Sequence, residues 1–160
     1  MATRLRFVSS AGVVRLDLNS ATGFALGRGL DIGIPELRRG WLFQDGVDGS
    51  LAHSESIGPA TMVVPIFLRT QVTAAAMKTL LDTLNVELNR RTNILEYQPD
   101  GWSTTYFLDT YRASLAAMHR GGDGQSPFML LRSNEPVTLA IARAPYAGST
   151  VAGIRNLIPV

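Results

Sequence analysis

The clearest periodic pattern of the chain lies between Thr73 and Arg91. Apolar residues recur there at three- and four-residue spacing, which places them on one face of a helix: Met77, Leu80, Leu81, Leu84 and Leu88. Thr73 is the predicted N-cap, since its hydroxyl can accept a hydrogen bond from a free backbone N–H of the first turn. Arg90 and Arg91 fall in the predicted last turn, where positive charge suits the helix dipole. The side facing solvent is assigned to Asp82, Asn85, Glu87 and Asn89.

Period-two alternation marks most of the remaining chain and predicts β-strands. The predicted strands cover residues 4–18 as a hairpin, then 30–37, 40–44, 60–70, 94–98, 102–115, 128–132 and 137–143. A turn at Pro99-Asp100-Gly101 joins two of them, because proline presets φ and glycine accepts a positive φ. Pro65 cannot donate a ladder hydrogen bond, so its strand is predicted to lie at a sheet edge or to carry a bulge.

Two segments follow neither period. Residues 44–59 predict a long loop or arm, and such loops are uncommon in compact domains and often functional. A flexible surface loop and an arm that orders against a neighbouring subunit are both open interpretations. Residues 144–160 predict an extended C-terminal tail, whose apolar end suggests docking on this domain or on a neighbour.

One helix among many strands predicts a mostly β fold of the α+β kind: a β-sandwich with one flanking amphipathic helix and extended loop or hairpin arms. The 160 residues suit a single domain over 1–160 with a sizeable core. The net charge is +2 and no Lys/Arg run exceeds two residues, which gives no strong nucleic-acid patch. Cysteine is absent, and no apolar run is long enough for a signal peptide or a membrane span.

Residue types and spacing assemble no catalytic, cofactor or metal site. His53 and His119 fall in segments predicted as loops, and no nucleophile elbow accompanies them. Asp45 and Asp48 lack the spacing and the bidentate glutamate of a calcium loop. We therefore expect no enzymatic activity, no cofactor and no metal.

The order of features in the middle of the chain resembles a known family. An acidic glycine-containing loop at 47–50 precedes the strand MVVPIFLR at 62–69 and the leucine-rich helix, and ILEYQPDG at 94–101 and TYFLDTYRASL at 105–115 follow. This order, over about residues 45–143, resembles the N-terminal domain of the distal tail proteins of long-tailed phages, and more loosely the related tail-tube fold. The resemblance implies a β-sandwich with one flanking helix that assembles as a hexameric ring between tail tube and tip or baseplate.

The resemblance also implies partners and positions. It implies further copies of this chain, the tail tube protein and tip or hub proteins as partners, in a virion tail assembled in the host cytoplasm. The predicted oligomer interface comprises Asp45, Val47, Asp48, Trp102, Tyr106, Leu157 and Ile158. The predicted lumen-facing residues are Asp45, Asp48, Glu55 and Asp100, because acidic side chains reduce sticking of DNA that passes through a ring. Without the additional C-terminal domain of many members, we expect a minimal ring former.

Other functions fit the same pattern. A tail tube subunit, a tube terminator or another minor tail protein would share the fold, and stacking of rings into filaments would separate a tube subunit from a distal ring. A carbohydrate-binding β-sandwich would use an aromatic platform drawn from Trp41, Trp102, Tyr106 and Tyr111. Core or interface roles for these aromatics are favoured, because the long hairpin needs apolar faces to pack. A small hydrolase would have His53 as its only support.

Overall fold

The fold of the protein is seen in a computed structural model, which describes residues 3–43, 50–69, 73–117 and 136–150. The elements within these ranges are β1 (Arg4–Val8), β2 (Val14–Asp17), β3 (Phe24–Leu26), β4 (Leu37–Phe43), β5 (Ser50–Ile57), β6 (Ala60–Leu68), α1 (Ala74–Leu88), β7 (Asn93–Gln98), β8 (Tyr106–Ala117) and β9 (Val137–Gly148). Seven strands form one antiparallel sheet in the order β2-β1-β7-β8-β9-β6-β3, and β4 pairs with β5 separately. The predicted fold class, mostly β with one flanking helix, is confirmed.

The seven-stranded sheet curls, because its two edge strands follow one another in the chain. β2 ends at Asp17 and β3 begins at Phe24. Six spacings of about 4.8 Å would hold the edges of a flat sheet about 29 Å apart, whereas seven residue steps reach about 25 Å at most. Side chains from both edges accordingly share one core cluster, among them Leu16 and Phe24.

The core lies inside this curled sheet, under the helix. Alternate residues of β6 are fully buried, namely Met62, Val64, Ile66 and Leu68. Leu84 and Leu88 of α1 join the same cluster, and the other members of the predicted apolar stripe pack at its margin: Met77, Leu80 and Leu81. The helical period in the sequence therefore identified the buried face of the helix.

The helix begins as predicted but ends earlier. Thr73 is the N-cap, and its Oγ1 accepts a hydrogen bond from the backbone N–H of Ala76 at 3.1 Å. The last helical residue is Leu88 and Asn89 is the C-cap, so the prediction that Arg90 and Arg91 lie in the last turn is wrong. The Asn89 side-chain amide donates to the carbonyl oxygen of Asn85 at 2.8 Å, and this competing hydrogen bond favours termination.

The assignment of Glu87 to the solvent-facing side is also wrong, because its side chain is buried at 3% exposure. The Asn93 side-chain amide donates to Glu87 Oε2 at 2.8 Å. Arg15 Nε lies 3.2 Å from the same oxygen, and Arg90 Nε lies 3.0 Å from Oε1. A carboxylate can be buried when hydrogen-bond donors and positive charges replace its water. Here the neutral amide of Asn93 on β7 donates, and the guanidinium groups of Arg15 on β2 and Arg90 after the helix supply the opposite charge.

The region between residues 19 and 60 differs most from prediction. The strand predicted at 30–37 is reduced to an isolated bridge between Asp31 and Val63, and β3 was not predicted. Within the segment predicted as a loop or arm, residues 50–57 form β5, which pairs with β4 as a hairpin. His53 therefore lies in a strand rather than in a loop, while residues 44–49 lie outside the described residues. The polar sequence of β5 hid this strand from a search based on hydrophobic alternation.

Pro65 does not mark an edge strand, so that prediction is wrong. β6 lies between β9 and the short edge strand β3, and no bulge interrupts its pairing with β9. The carbonyl oxygen of Pro65 accepts a hydrogen bond from Gly27 N at 2.7 Å, just where β3 has ended. Backbone N and O of one strand residue point to the same side, so the missing N–H faces the end of β3 and costs no pairing with β9.

The last two strands of the sheet have different bounds from those predicted. β8 begins at Tyr106, so residues 102–105 precede it, and β9 runs on to Gly148. Residues 144–148, predicted as tail, are therefore strand. The β8–β9 ladder continues past Pro145 through register irregularities, which accommodate a residue that cannot donate. The strand predicted at 128–132 and residue His119 lie outside the described residues.

Candidate interaction surfaces

The first surface is the two-stranded hairpin β4–β5, here called the arm. Its strands pair from Leu37 opposite Ile57 to Phe43 opposite Ser50. In the described part of the chain, neither strand pairs with the seven-stranded sheet. A two-stranded hairpin is only marginally stable alone in water, so the arm needs support from something outside its own ladder.

The segment that leads into the arm is held rigidly on the sheet. Asp31 and Val63 exchange two backbone hydrogen bonds of 2.8 and 2.9 Å. The buried guanidinium of Arg143 donates to the carbonyl oxygens of Ile32 and Gly33 at 2.8 and 2.7 Å. Burial lowers the pKa of Arg143, yet an arginine stays charged, so these are charge-assisted bonds.

Gly33 is required in this segment for two reasons. Its φ is +71°, a left-handed conformation that glycine adopts without strain, and a Cβ at this position would overlap the carbonyl oxygen of Thr61. The backbone of the segment is therefore pressed against β6. The next side chain, Ile34, is 92% exposed.

Three exposed apolar residues lie at the base of the arm or just before it in the chain, and we call them the arm-base patch: Ile34, Leu37 and Ile57. Leu37 and Ile57 are directly paired across the arm and are 52% and 47% exposed. This patch was not predicted from the sequence. The available signal was an isoleucine between Gly33 and Pro35, a context in which no core strand is expected.

The second surface is a row of three aromatic rings at the β7–β8 turn, here called the aromatic row: Tyr97, Tyr106 and Trp102. The Tyr106 ring centroid lies 6.5 Å from that of Tyr97 and 6.5 Å from that of Trp102. Burial raises the pKa of Tyr97, and the neighbouring Tyr106 hydroxyl raises it further. Trp102 is 57% exposed, whereas Tyr97 and Tyr106 are half-buried, so solvent exposure along the row increases toward the turn.

The predicted turn at residues 99–101 positions Trp102 and is confirmed. Gly101 has φ +77°, and the backbone N–H of Trp102 donates to the carbonyl oxygen of Pro99 at 3.2 Å. The Gln98 side-chain amide donates to the Trp102 carbonyl oxygen at 2.8 Å. These bonds fix the backbone that presents the indole.

The predicted interface and lumen residues are distributed as follows. Trp102 and Tyr106 lie together in the aromatic row, and Asp100 lies in the adjoining turn. Glu55 belongs to β5 of the arm, opposite Arg39. The others lie outside the described residues, namely Asp45, Val47, Asp48, Leu157 and Ile158. Interface and lumen roles remain predictions.

A polar cleft of about 230 Å³ opens beside the aromatic row, between the start of β1 and the end of β7. Its two arginines are already paired: Arg4 with Glu96 at 3.4 Å and Arg6 with Asp17 at 2.9 Å. These partners neutralise the cleft, which therefore offers little attraction to an anion. Over the described residues, no group of His, Asp or Glu is arranged to hold a metal ion. The one described helix is too short and too polar to cross a membrane.

Comparisons with known proteins place this geometry in context. No protein-family model and no curated protein sequence matches the chain. Among solved structures it is similar to the Dit (gp 19.1) protein of SPP1, described as a paradigm of the hub adsorption apparatus in phages that infect Gram-positive bacteria, with 19% identity and a TM-score of 0.55. The match covers 92% of this chain and 52% of that protein, so the chain spans about half its length. The similarity shows that this chain has a Dit-like fold.

Proposed function

We propose that the protein is a structural component of a phage tail and forms a hexameric ring at the distal end, where it joins the tail tube to the tip or baseplate. The observation that carries the proposal is the Dit-like fold, which extends over 92% of the chain. The proposal places the protein in the virion. In this proposal the arm mediates assembly, and no catalytic group is involved.

The arm supports assembly on physical grounds. Exposed strand edges and an apolar patch favour association with another protein, because pairing and burial then supply what the isolated hairpin lacks. If the arm of each copy lies on a different surface of its neighbour, the contact is head-to-tail. Such a contact closes into a ring when its rotation divides the circle evenly.

The first experiment is a native mass measurement with negative-stain imaging. The expected result is six times the chain mass of 17.3 kDa and ring-shaped particles. Filaments of stacked rings would overturn the distal position and favour a tail tube subunit. A monomer at micromolar concentration that forms no ring with added tail tube would overturn the proposal altogether.

Paired variants test whether the arm-base patch holds the ring. Ile34→Ser with Leu37→Ser should weaken association by at least about tenfold, equivalent to about 1.4 kcal/mol, because apolar burial is lost. The matched control is Val86→Ser, which changes a side chain of 55% exposure on the outer face of the helix. It should leave the ring intact. Equal effects of both variants would remove the arm-base patch from the interface.

A further inference from the structure

The arm joins the rest of the chain through two short connections. The entry connection is residues 34–36, before β4, and the exit connection is residues 58–59, between β5 and β6. The backbone N–H of Gly58 donates to the carbonyl oxygen of Glu36 at 2.7 Å, which ties the two connections together. The arm can therefore turn against the sheet only if both connections move.

Arg143 of β9 contacts the chain on the sheet side of both connections. Its backbone pairs with Ala60, the first residue of β6 after the exit connection. Its Nε donates to the carbonyl oxygen of Ile32 at 2.8 Å and its Nη2 to that of Gly33 at 2.7 Å, directly before the entry connection. One residue thus links the two ends of the arm to each other.

The hydrogen bonds of Arg143 depend on the shape of its guanidinium. The residue is 5% exposed, and its Nη1 donates to the carbonyl oxygen of Ala144 at 2.9 Å. Among the residues that the structure describes, carbonyl oxygens and no carboxylate face this charge, so release of the entry side would leave it poorly solvated. The planar fork reaches two successive carbonyl groups at once, whereas a lysine would keep the charge and lose this spacing.

We propose that Arg143 positions the arm: its guanidinium holds the chain before the entry connection against the sheet, so that the arm leaves the sheet in one orientation before a partner is bound. This inference concerns the single chain and does not rest on the ring. In a ring, an arm that is already oriented would lose less conformational freedom on association.

Spin labels test the orientation, because the chain has no cysteine and labels can be placed at chosen positions. Ser56→Cys marks the exposed base of β5, and Lys78→Cys marks the exposed surface of the helix. With labelled chains diluted into unlabelled ones, the distance between the two labels should have one narrow distribution, and Arg143→Lys should broaden it. Hydrogen exchange at the amides of Asp31 and Gly58 should become at least about tenfold faster in the same variant, because hydrogen bonds to a charged group are lost.

The matched control is Arg69→Lys. Arg69 Nε donates to the carbonyl oxygen of Ser20 at 2.9 Å on the exposed surface beyond the other end of β6. The control should leave the distance between the labels and the exchange of both amides unchanged. Amides of the β1–β7 ladder should change by less than about twofold in Arg143→Lys, because the opening is local.

Three results would overturn the proposal: a broad distance distribution in the unsubstituted chain, the same distribution in Arg143→Lys, or equally faster exchange throughout the sheet. If Arg143→Lys does not fold, exchange of the Arg143 Nε–H with water in the unsubstituted chain decides instead. It should be much slower than exchange of the Arg69 Nε–H, and equal rates would overturn the proposal. The ring is tested separately, by the native mass of the same samples. A monomer with one narrow distance distribution would overturn the ring and support the positioning role of Arg143.

Discussion

The seven-stranded sheet and the arm are both built from antiparallel strands, but they differ in what those strands cover. Along β6 every second side chain is fully buried beneath neighbouring strands and the helix. Along the described side chains of the arm, the directly paired Leu37 and Ile57 remain about half exposed. Backbone pairing is present in both regions, whereas the directly paired apolar side chains that the structure describes are buried only in the sheet.

This difference predicts that the sheet with its helix is stable on its own and that the arm is not. Ladder hydrogen bonds replace bonds to water and contribute modestly to net stability, while burial of apolar surface supplies the main favourable term. We therefore expect the sheet and helix to unfold as one cooperative body. The arm should open locally at much lower free energy until a partner covers the arm-base patch.

The largest expected effect comes from the same substitution made in each region. Leu139 is fully buried between β6 and β8, and Leu139→Ala should lower the free energy of unfolding by about 3 kcal/mol through lost burial and a residual cavity. Leu37→Ala on the arm should change it by less than about 0.5 kcal/mol. Urea denaturation of the dissociated protein measures both.

The arm variant should show its effect in assembly instead. Leu37→Ala should weaken the ring while leaving monomer unfolding nearly unchanged, and Leu139→Ala should do the reverse once folded protein is compared at equal concentration. A large loss of monomer stability in Leu37→Ala would mean that the arm belongs to the cooperative body, and the contrast between the two regions would fail.

A smaller effect is expected at the ion cluster that ties the helix to β2 and β7. Glu87→Gln retains the shape of the side chain but removes the charge that faces Arg15 and Arg90, so stability should fall by about 2 kcal/mol. The matched control is Asp82→Asn. Asp82 pairs with Lys78 on the exposed helix surface, where an ion pair contributes less than about 1 kcal/mol.

Hydrogen exchange separates this effect from one on the arm. Amides of β6 and β9 should lose protection in Glu87→Gln, whereas those of β4 and β5 should not change, because the described partners of Glu87 lie on β2, on β7 and just after the helix. If Glu87→Gln and Asp82→Asn lowered stability equally, burial of the Glu87 carboxylate would add nothing. The cluster would then contribute no more than the exposed ion pair at Asp82.

The contrast also explains what could be predicted from sequence. Local signals identified the helix, its Thr73 cap and the turn at 99–101, because spacing, a capping hydroxyl and a Pro-Asp-Gly run act within a few residues. The burial of Glu87 depends on Arg15, which only the sheet pairing brings near, so no local pattern reports it. β5 was missed because strands were predicted from alternation of apolar and polar residues, and residues 53–56 of this strand are all polar.

The candidate surfaces were predictable to different degrees. Trp102 and Tyr106 were named from the sequence as aromatics beside the predicted turn at 99–101, and the structure brings them together in the aromatic row, while their interface role stays a prediction. The arm-base patch was not predicted, since the backbone before Ile34 is held by Arg143, more than a hundred residues away, through the carbonyl oxygens of Ile32 and Gly33. The neighbours Gly33 and Pro35 argue against a core strand at Ile34, but its exposure is a property of the tertiary structure.

The smallest expected effect comes from two threonine substitutions in and next to the helix, which should change the free energy of unfolding in opposite directions. Thr73→Ala removes the hydroxyl that accepts from the Ala76 N–H and should lower the free energy of unfolding by about 1 kcal/mol. Thr79→Ala is the same chemical change at another exposed position, inside the helix, where the hydroxyl donates to the Ala75 carbonyl oxygen. Because alanine has the higher helix propensity and this back-bond adds nothing to the helix, Thr79→Ala should raise stability by about 0.3 kcal/mol. Thermal unfolding of both variants measures whether each change raises or lowers stability. A loss of stability in both would mean that the Thr79 hydroxyl, and not the cap alone, stabilises the helix.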